Sequence, residues 1–113
     1  MRDLHKNLYI SSSGLTAPGS GIIYTVDLPN RSVPINYSVF VTVSNINTNV
    51  QVRLDGSLDG LTFAPVITGQ TITKNGTSFY SLQNTPLRCI QPVFIAESGG
   101  ADAIVTFQIA TSN

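Results

Sequence analysis

Ile35, Tyr37, Val39, Val41 and Val43 alternate with Asn36, Ser38, Phe40, Thr42 and Ser44, the longest period-two run in the chain. Successive side chains of a strand point to opposite faces, so this run predicts a strand with one buried side. Ile22, Tyr24, Val26 and Leu28, set against Ile23, Thr25 and Asp27, predict another strand upstream, ended by the proline-flanked stretch 29–34. A third run places Val50, Val52, Leu54 and Leu58 against Gln51, Arg53, Asp55 and Ser57 and then meets Asp59-Gly60. That dipeptide suits a two-residue hairpin turn with positive φ. The expected register sets Leu58 opposite Leu61 and Gly56 opposite Phe63, whose ring would cover the backbone the glycine leaves bare.

Asn75-Gly76 is a second hairpin signal, between residues 71–74 and 77–82. Pairing across it would put Ile72 opposite Phe79, on the inward side, and leave Tyr80 on the exposed one. Residues 88–97 are apolar on both faces, as expected of a strand covered twice, and Pro92 within it removes a ladder donor and marks an edge or a bulge. After the turn 98–101, Ala103, Val105, Phe107 and Ile109 face inward against Ile104, Thr106 and Gln108. No segment has helical period. The pattern predicts an all-β chain, an antiparallel β-sandwich or jelly-roll-like fold of about seven or eight strands.

Residues 1–21 stand apart from this pattern. Arg2, Asp3, His5 and Lys6 concentrate charge in the first ten residues, and small residues and turn formers fill 11–21. The segment reads as a flexible arm and connector ahead of a sandwich domain at 22–113, either a frayed terminus or an arm that docks on a neighbouring subunit. There is no apolar stretch behind the N-terminal charges and no run of transmembrane length, so neither a signal peptide nor a membrane partner is expected.

Charge narrows the partners further. Only 11% of the 113 residues are charged and the formal net charge is zero, so no long-range field draws the chain to nucleic acid. A neutral, charge-poor surface also does little to hold molecules apart, which suits a protein packed against neighbours. Chemistry is sparse. The single histidine, His5, lies in the arm, and the single cysteine, Cys89, sits in an apolar strand with no histidine near it. Neither makes a nucleophile–base pair, so no catalytic residue, cofactor or enzyme activity is expected. Asp55-Gly-Ser57-Leu-Asp59-Gly60 matches the first half of a calcium loop, but Val66 occupies the position of its bidentate glutamate, so no metal site is assigned. Phe40 interrupts an otherwise polar strand face, and Ile23 and Ile104 do the same elsewhere; together they would form a patch that needs a partner.

The stretch from Val50 to Gly60, with Asn75-Gly-Thr77, Pro86-Leu-Arg88 and Glu97-Ser-Gly-Gly-Ala-Asp-Ala103, resembles small all-β virion structural proteins of tailed bacteriophages. The resemblance covers roughly residues 35–110 and consists of hairpin signatures rather than a catalytic motif. The family usually has Trp soon after the Asp-Gly turn, where Phe63 stands in this chain. The resemblance implies a capsid decoration (cement) protein, made in the host cytoplasm. Such a protein binds the outer capsid surface of the virion as a homotrimer and holds capsomers together, with the major capsid protein as partner. The residues expected at that interface are Arg2, Leu4, His5, Lys6, Leu8 and Tyr9 of the arm and the off-phase Phe40. The alternative is a tail or fibre accessory module that binds a host glycan, with the turns Asp59-Gly60 and Ser98-Gly-Gly100 bordering a shallow site beside Tyr80.

Overall fold

A computed structural model describes residues 8–11, 14–21, 23–26 and 34–112. Their strands are β1 (Leu8–Ser11), β2 (Gly19–Ser20), β3 (Tyr24–Thr25), β4 (Asn36–Ser44), β5 (Asn49–Ser57), β6 (Phe63–Ile72), β7 (Gly76–Leu82), β8 (Cys89–Ser98) and β9 (Ile104–Ser112). No helix occurs among the described residues. One sheet has the order β1-β9-β4-β7; the other runs β2-β8-β5-β6, with β3 also on β8. Every pairing is antiparallel. The chain is a β-sandwich, as the alternation predicts.

The inward residues of the two sheets meet in one core. Tyr37, Val39, Val41 and Val43 of β4 and Val105, Phe107 and Ile109 of β9 face Val50, Val52, Leu54, Ile90 and Phe94. Each fully buried Val, Ile, Leu or Phe contributes about 1.5–3 kcal/mol relative to exposure, so these period-two stripes hold the sheets together. In β8, Ile90 and Phe94 join that core while Cys89 and Val93 are buried outside it, consistent with a strand covered on both sides.

Both hairpin expectations change. At Asp59-Gly60 the sheet pairing ends at Ser57–Phe63, with Gly56 opposite Ala64, so the loop spans five residues, 58–62, rather than two. Side chains set that length. Ser57 Oγ accepts from Gly60 N at 2.8 Å and donates to Asp59 Oδ1 at 3.1 Å, and Asp59 Oδ1 accepts from Leu61 N and Thr62 N, each at 2.8 Å. An Asx-type loop thus satisfies the backbone that a two-residue turn would have paired. Leu58 and Leu61 are consequently exposed. Gly56 is covered by Leu87 and Val66, not Phe63: a Cβ there would lie 2.9 Å from both.

Asn75-Gly76 does not close a hairpin. It carries the chain from β6 in one sheet to β7 in the other, where β7 pairs with β4. Asn75 Oδ1 accepts from Ile46 N at 2.9 Å, tying this corner to the loop after β4. Phe79 therefore lies opposite Phe40, not Ile72. The expected inside and outside of β7 are exchanged: Phe79 is exposed, and half-buried Tyr80 packs on the core.

Pro92 sits in β8, between β5 and the short strands β2 and β3. Its carbonyl accepts from Gly21 N at 2.7 Å, but it has no N–H to return to Gly21 O. Gln91 Nε2 supplies that donor at 3.0 Å. The proline thus coincides with the interruption between β2 and β3. The bulge in β8 falls further along, where Gln51 pairs with Ala96 and Val52 with Phe94.

Candidate interaction face

The outer face of the first sheet follows from the same alternation that builds the core. With Val39, Val41 and Val43 turned inward, β4 presents Ser38, Phe40, Thr42 and Ser44 outward. Register then fixes their neighbours in rows: Ser38 with Ser81 and Ala110, Phe40 with Phe79 and Gln108, Thr42 with Thr77 and Thr106. The sequences of β4, β7 and β9 contain no Asp, Glu, Lys or Arg. Every charged residue among the described ones, namely Arg53, Asp55, Asp59, Lys74, Arg88, Glu97 and Asp102, belongs to the second sheet or to a loop. The charge-poor composition is thus concentrated into one uncharged face.

Phe40 and Phe79 dominate that face. They are 45% and 59% exposed, and their rings meet edge to face with centroids 5.5 Å apart. Thr42 and Thr77 share a hydrogen bond of 2.9 Å in the next row. Beside Phe40, a shallow depression of about 360 Å³ is lined by Ser38, Gln108 and Ala110. Such a surface offers dispersion contact and hydroxyl and amide hydrogen bonds without the desolvation cost of charge.

The structure brings together only part of the expected patch. Phe40 is exposed as expected, but Ile104 lies at the far end of the same face, opposite Ser44, and Ile23 is in the segment between β2 and β3, along the other sheet. Phe79, which the sequence assigns inward, is the true neighbour of Phe40. Of the arm, Leu8 and Tyr9 belong to β1, whose backbone pairs with β9 through Leu8–Thr111 and Tyr9–Ala110. Leu15 bridges Val105 and Gly19 and Ser20 pair with β8. Arg2, Leu4, His5 and Lys6 lie outside the described residues.

The half calcium motif is engaged internally. Asp55 holds the guanidinium of Arg53, with Arg53 Nε 2.9 Å and Nη2 3.3 Å from its two carboxylate oxygens. Asp59 accepts the loop N–H groups, and those of Thr62 and Leu61, then the Ser57 hydroxyl, hold its carboxyl below the usual range. The turns invoked for a glycan site lie at opposite ends of β5, because Ser57 pairs with Cys89 and Asn49 with Ser98. The polar recess near the second turn, lined by Asn45, Ile46, Asn47, Gly100 and Asp102, includes no aromatic ring.

Tyr37 is structural. Its buried hydroxyl reaches Pro34 O at 3.2 Å and Leu87 O at 3.3 Å, and burial pushes its pKa up to about 12. Cys89 is buried, with Thr25 Oγ1 3.9 Å from its sulfur.

Fold and face together define a β-sandwich with one uncharged, aromatic-bearing sheet surface. No family model matches the sequence, and comparison with curated proteins finds no match. Solved structures do share the fold. The SPBc2 prophage-derived protein YomS aligns with a TM-score of 0.61 at 9% identity, over 94% of this chain and 93% of that one. The Tobacco streak virus coat protein dimer gives 0.52 at 9% identity, over 100% and 90%. A protein of Bacillus endospore appendages, a family of disulfide-linked pili, gives 0.50 at 16% identity, over 94% and 84%. At these identities the likeness is one of fold.

Proposed function

We propose that this chain is a bacteriophage capsid decoration protein that adheres to the outer capsid surface and adds contact area between capsomers. The observation that carries this reading is the uncharged outer face of β4, β7 and β9 with its exposed Phe40–Phe79 pair. Such a surface is suited to burial against protein, where aromatic anchors dominate binding and charges are depleted. The sandwich fold shared with a prophage-derived protein and with a virus coat protein supports a virion role. The major capsid protein is the partner, and the arm from Met1 to Tyr9 adds to the contact.

Adhesion needs buried interface rather than turnover, which agrees with a site built from Phe, Ser, Thr and Gln. The test is binding to shells assembled from the major capsid protein alone. The wild-type chain is expected to sediment with the shells to saturation, and deletion of residues 1–7, which leaves β1 intact, to lower occupancy. A chain that never sediments with such shells would overturn the reading.

A further inference from the structure

The edges of the two sheets differ. Among the described residues, β7 pairs with β4 alone, so its other side presents open N–H and C=O groups. Sheet edges exposed to solvent are usually blunted by charge, proline, bulges or shortness. β6, at the edge of the second sheet, carries Pro65, and its pairing with β5 shifts register twice. β1, at the opposite edge of the first sheet, is only four residues long. β7 has seven residues in unbroken register, with no charge and no proline.

We propose that β7 pairs with β7 of a second copy of this chain, antiparallel and two-fold symmetric about Phe79. Symmetry selects the partner. In an isologous contact the residue on the axis meets itself and the others meet their mirror positions, so a charge at the centre would oppose an identical charge. Phe79 is the middle residue of Gly76–Leu82, and it is apolar and exposed. Centring the axis there sets Phe79 against its copy, Thr77 against Ser81 and Ser81 against Thr77. Row by row, outward residues meet outward residues. The Phe40–Phe79 pair of each copy then extends into one line of four rings across an eight-stranded sheet, whose outer face stays free and uncharged. The contact gives two copies, in place of the threefold arrangement implied by resemblance. It does not depend on the virion reading, because it concerns the free protein.

Register makes this testable. Antiparallel partners lie about 4.5–5.5 Å apart at Cα, within the span of a disulfide. Thr77→Cys and Ser81→Cys are prepared separately, keeping Phe79; the native Cys89 is buried. Under oxidation the mixture is expected to form a covalent dimer that neither variant forms alone. In sedimentation equilibrium the wild type is expected to reach twice the chain mass as concentration rises. Phe79→Glu, at an exposed position, should stay monomeric with an unchanged circular dichroism spectrum. A mixture that cross-links no better than its components would overturn the pairing, as would a wild type that sediments as a trimer, or as a monomer at all concentrations. Cross-links that appear only when capsid shells are added would overturn the pairing as a property of the free protein. The cross-link and the mass of the free protein are read without shells, so this pairing stands or falls on measurements that shell binding does not enter.

Discussion

Phe40 and Phe79 meet edge to face across the β4–β7 pairing, 5.5 Å between centroids, on the outside of a sheet whose three long strands carry no charge. A solvent-exposed aromatic pair adds only about 0.5–1.5 kcal/mol beyond its burial, so folding needs it little. Phe40→Ser and Phe79→Ser are therefore expected to lower stability by about 1 kcal/mol each, while weakening shell binding far more. Thermal unfolding and shell co-sedimentation, measured on the same preparations, separate the two effects. Equal loss in both would mark the rings as structural.

Tyr37 should govern alkaline stability. Its hydroxyl is buried against two carbonyls and its pKa is raised from 10.0 to about 12. The unfolded chain releases this proton near pH 10 and the folded chain holds it, so stability is full below pH 10 and falls as pH rises towards 12. The loss amounts to at most about 2–3 kcal/mol. Tyr37→Phe is expected to cost about 1–2 kcal/mol at neutral pH, by leaving the carbonyls without a donor, and to flatten the alkaline decline. Denaturant unfolding from pH 7 to 12 checks both.

Asp59 should act at the acid end. Its carboxyl is held below 3.8 by the loop N–H groups of Thr62 and Leu61. Its contribution is present above that value and lost as pH falls below it. Asp59→Ala removes the acceptor and is expected to lower the melting temperature. Asp59→Asn keeps an acceptor oxygen, so it should cost less and remove this residue's share of the acid dependence. Melting curves at pH 7 and pH 3 distinguish the three proteins.

Gln91 substitutes for the donor that Pro92 lacks. Gln91→Leu is expected to cost about 1 kcal/mol by leaving the Gly21 carbonyl short of a partner. It should also quicken amide exchange at Gly21, whose N–H is held by Pro92 O. Unchanged exchange at Gly21 would show that the side-chain amide does not hold this segment.

How much of this was legible in the sequence depended on how local each determinant is. The inward valines of β4 and the apolar stripe of β9 follow from alternation alone, because the pleat fixes each side chain's face. At Asp59-Gly60 the turn itself was visible, but its length depended on side chains: Ser57 accepts from Gly60 N, and Asp59 accepts from Leu61 N and Thr62 N. At Asn75-Gly76 the missing information is non-local. A turn dipeptide reports where the chain bends, not which strand receives it, and β7 pairs with a strand more than thirty residues earlier. With Ile72 as its partner across that turn Phe79 would face inward; its partner is Phe40. The off-phase Phe40 is the signal in the sequence that points to β4, since two isolated outward aromatics on strands of one sheet have reason to meet.

The most direct measurement of the central claim is the fraction of folded protein that co-sediments with shells of the major capsid protein, wild type against Phe40→Ser/Phe79→Ser. A saturating wild type beside a double variant that stays in the supernatant, with its β-sheet spectrum intact, is the expected result. Equal occupancy by both proteins, or sedimentation of neither, would contradict it.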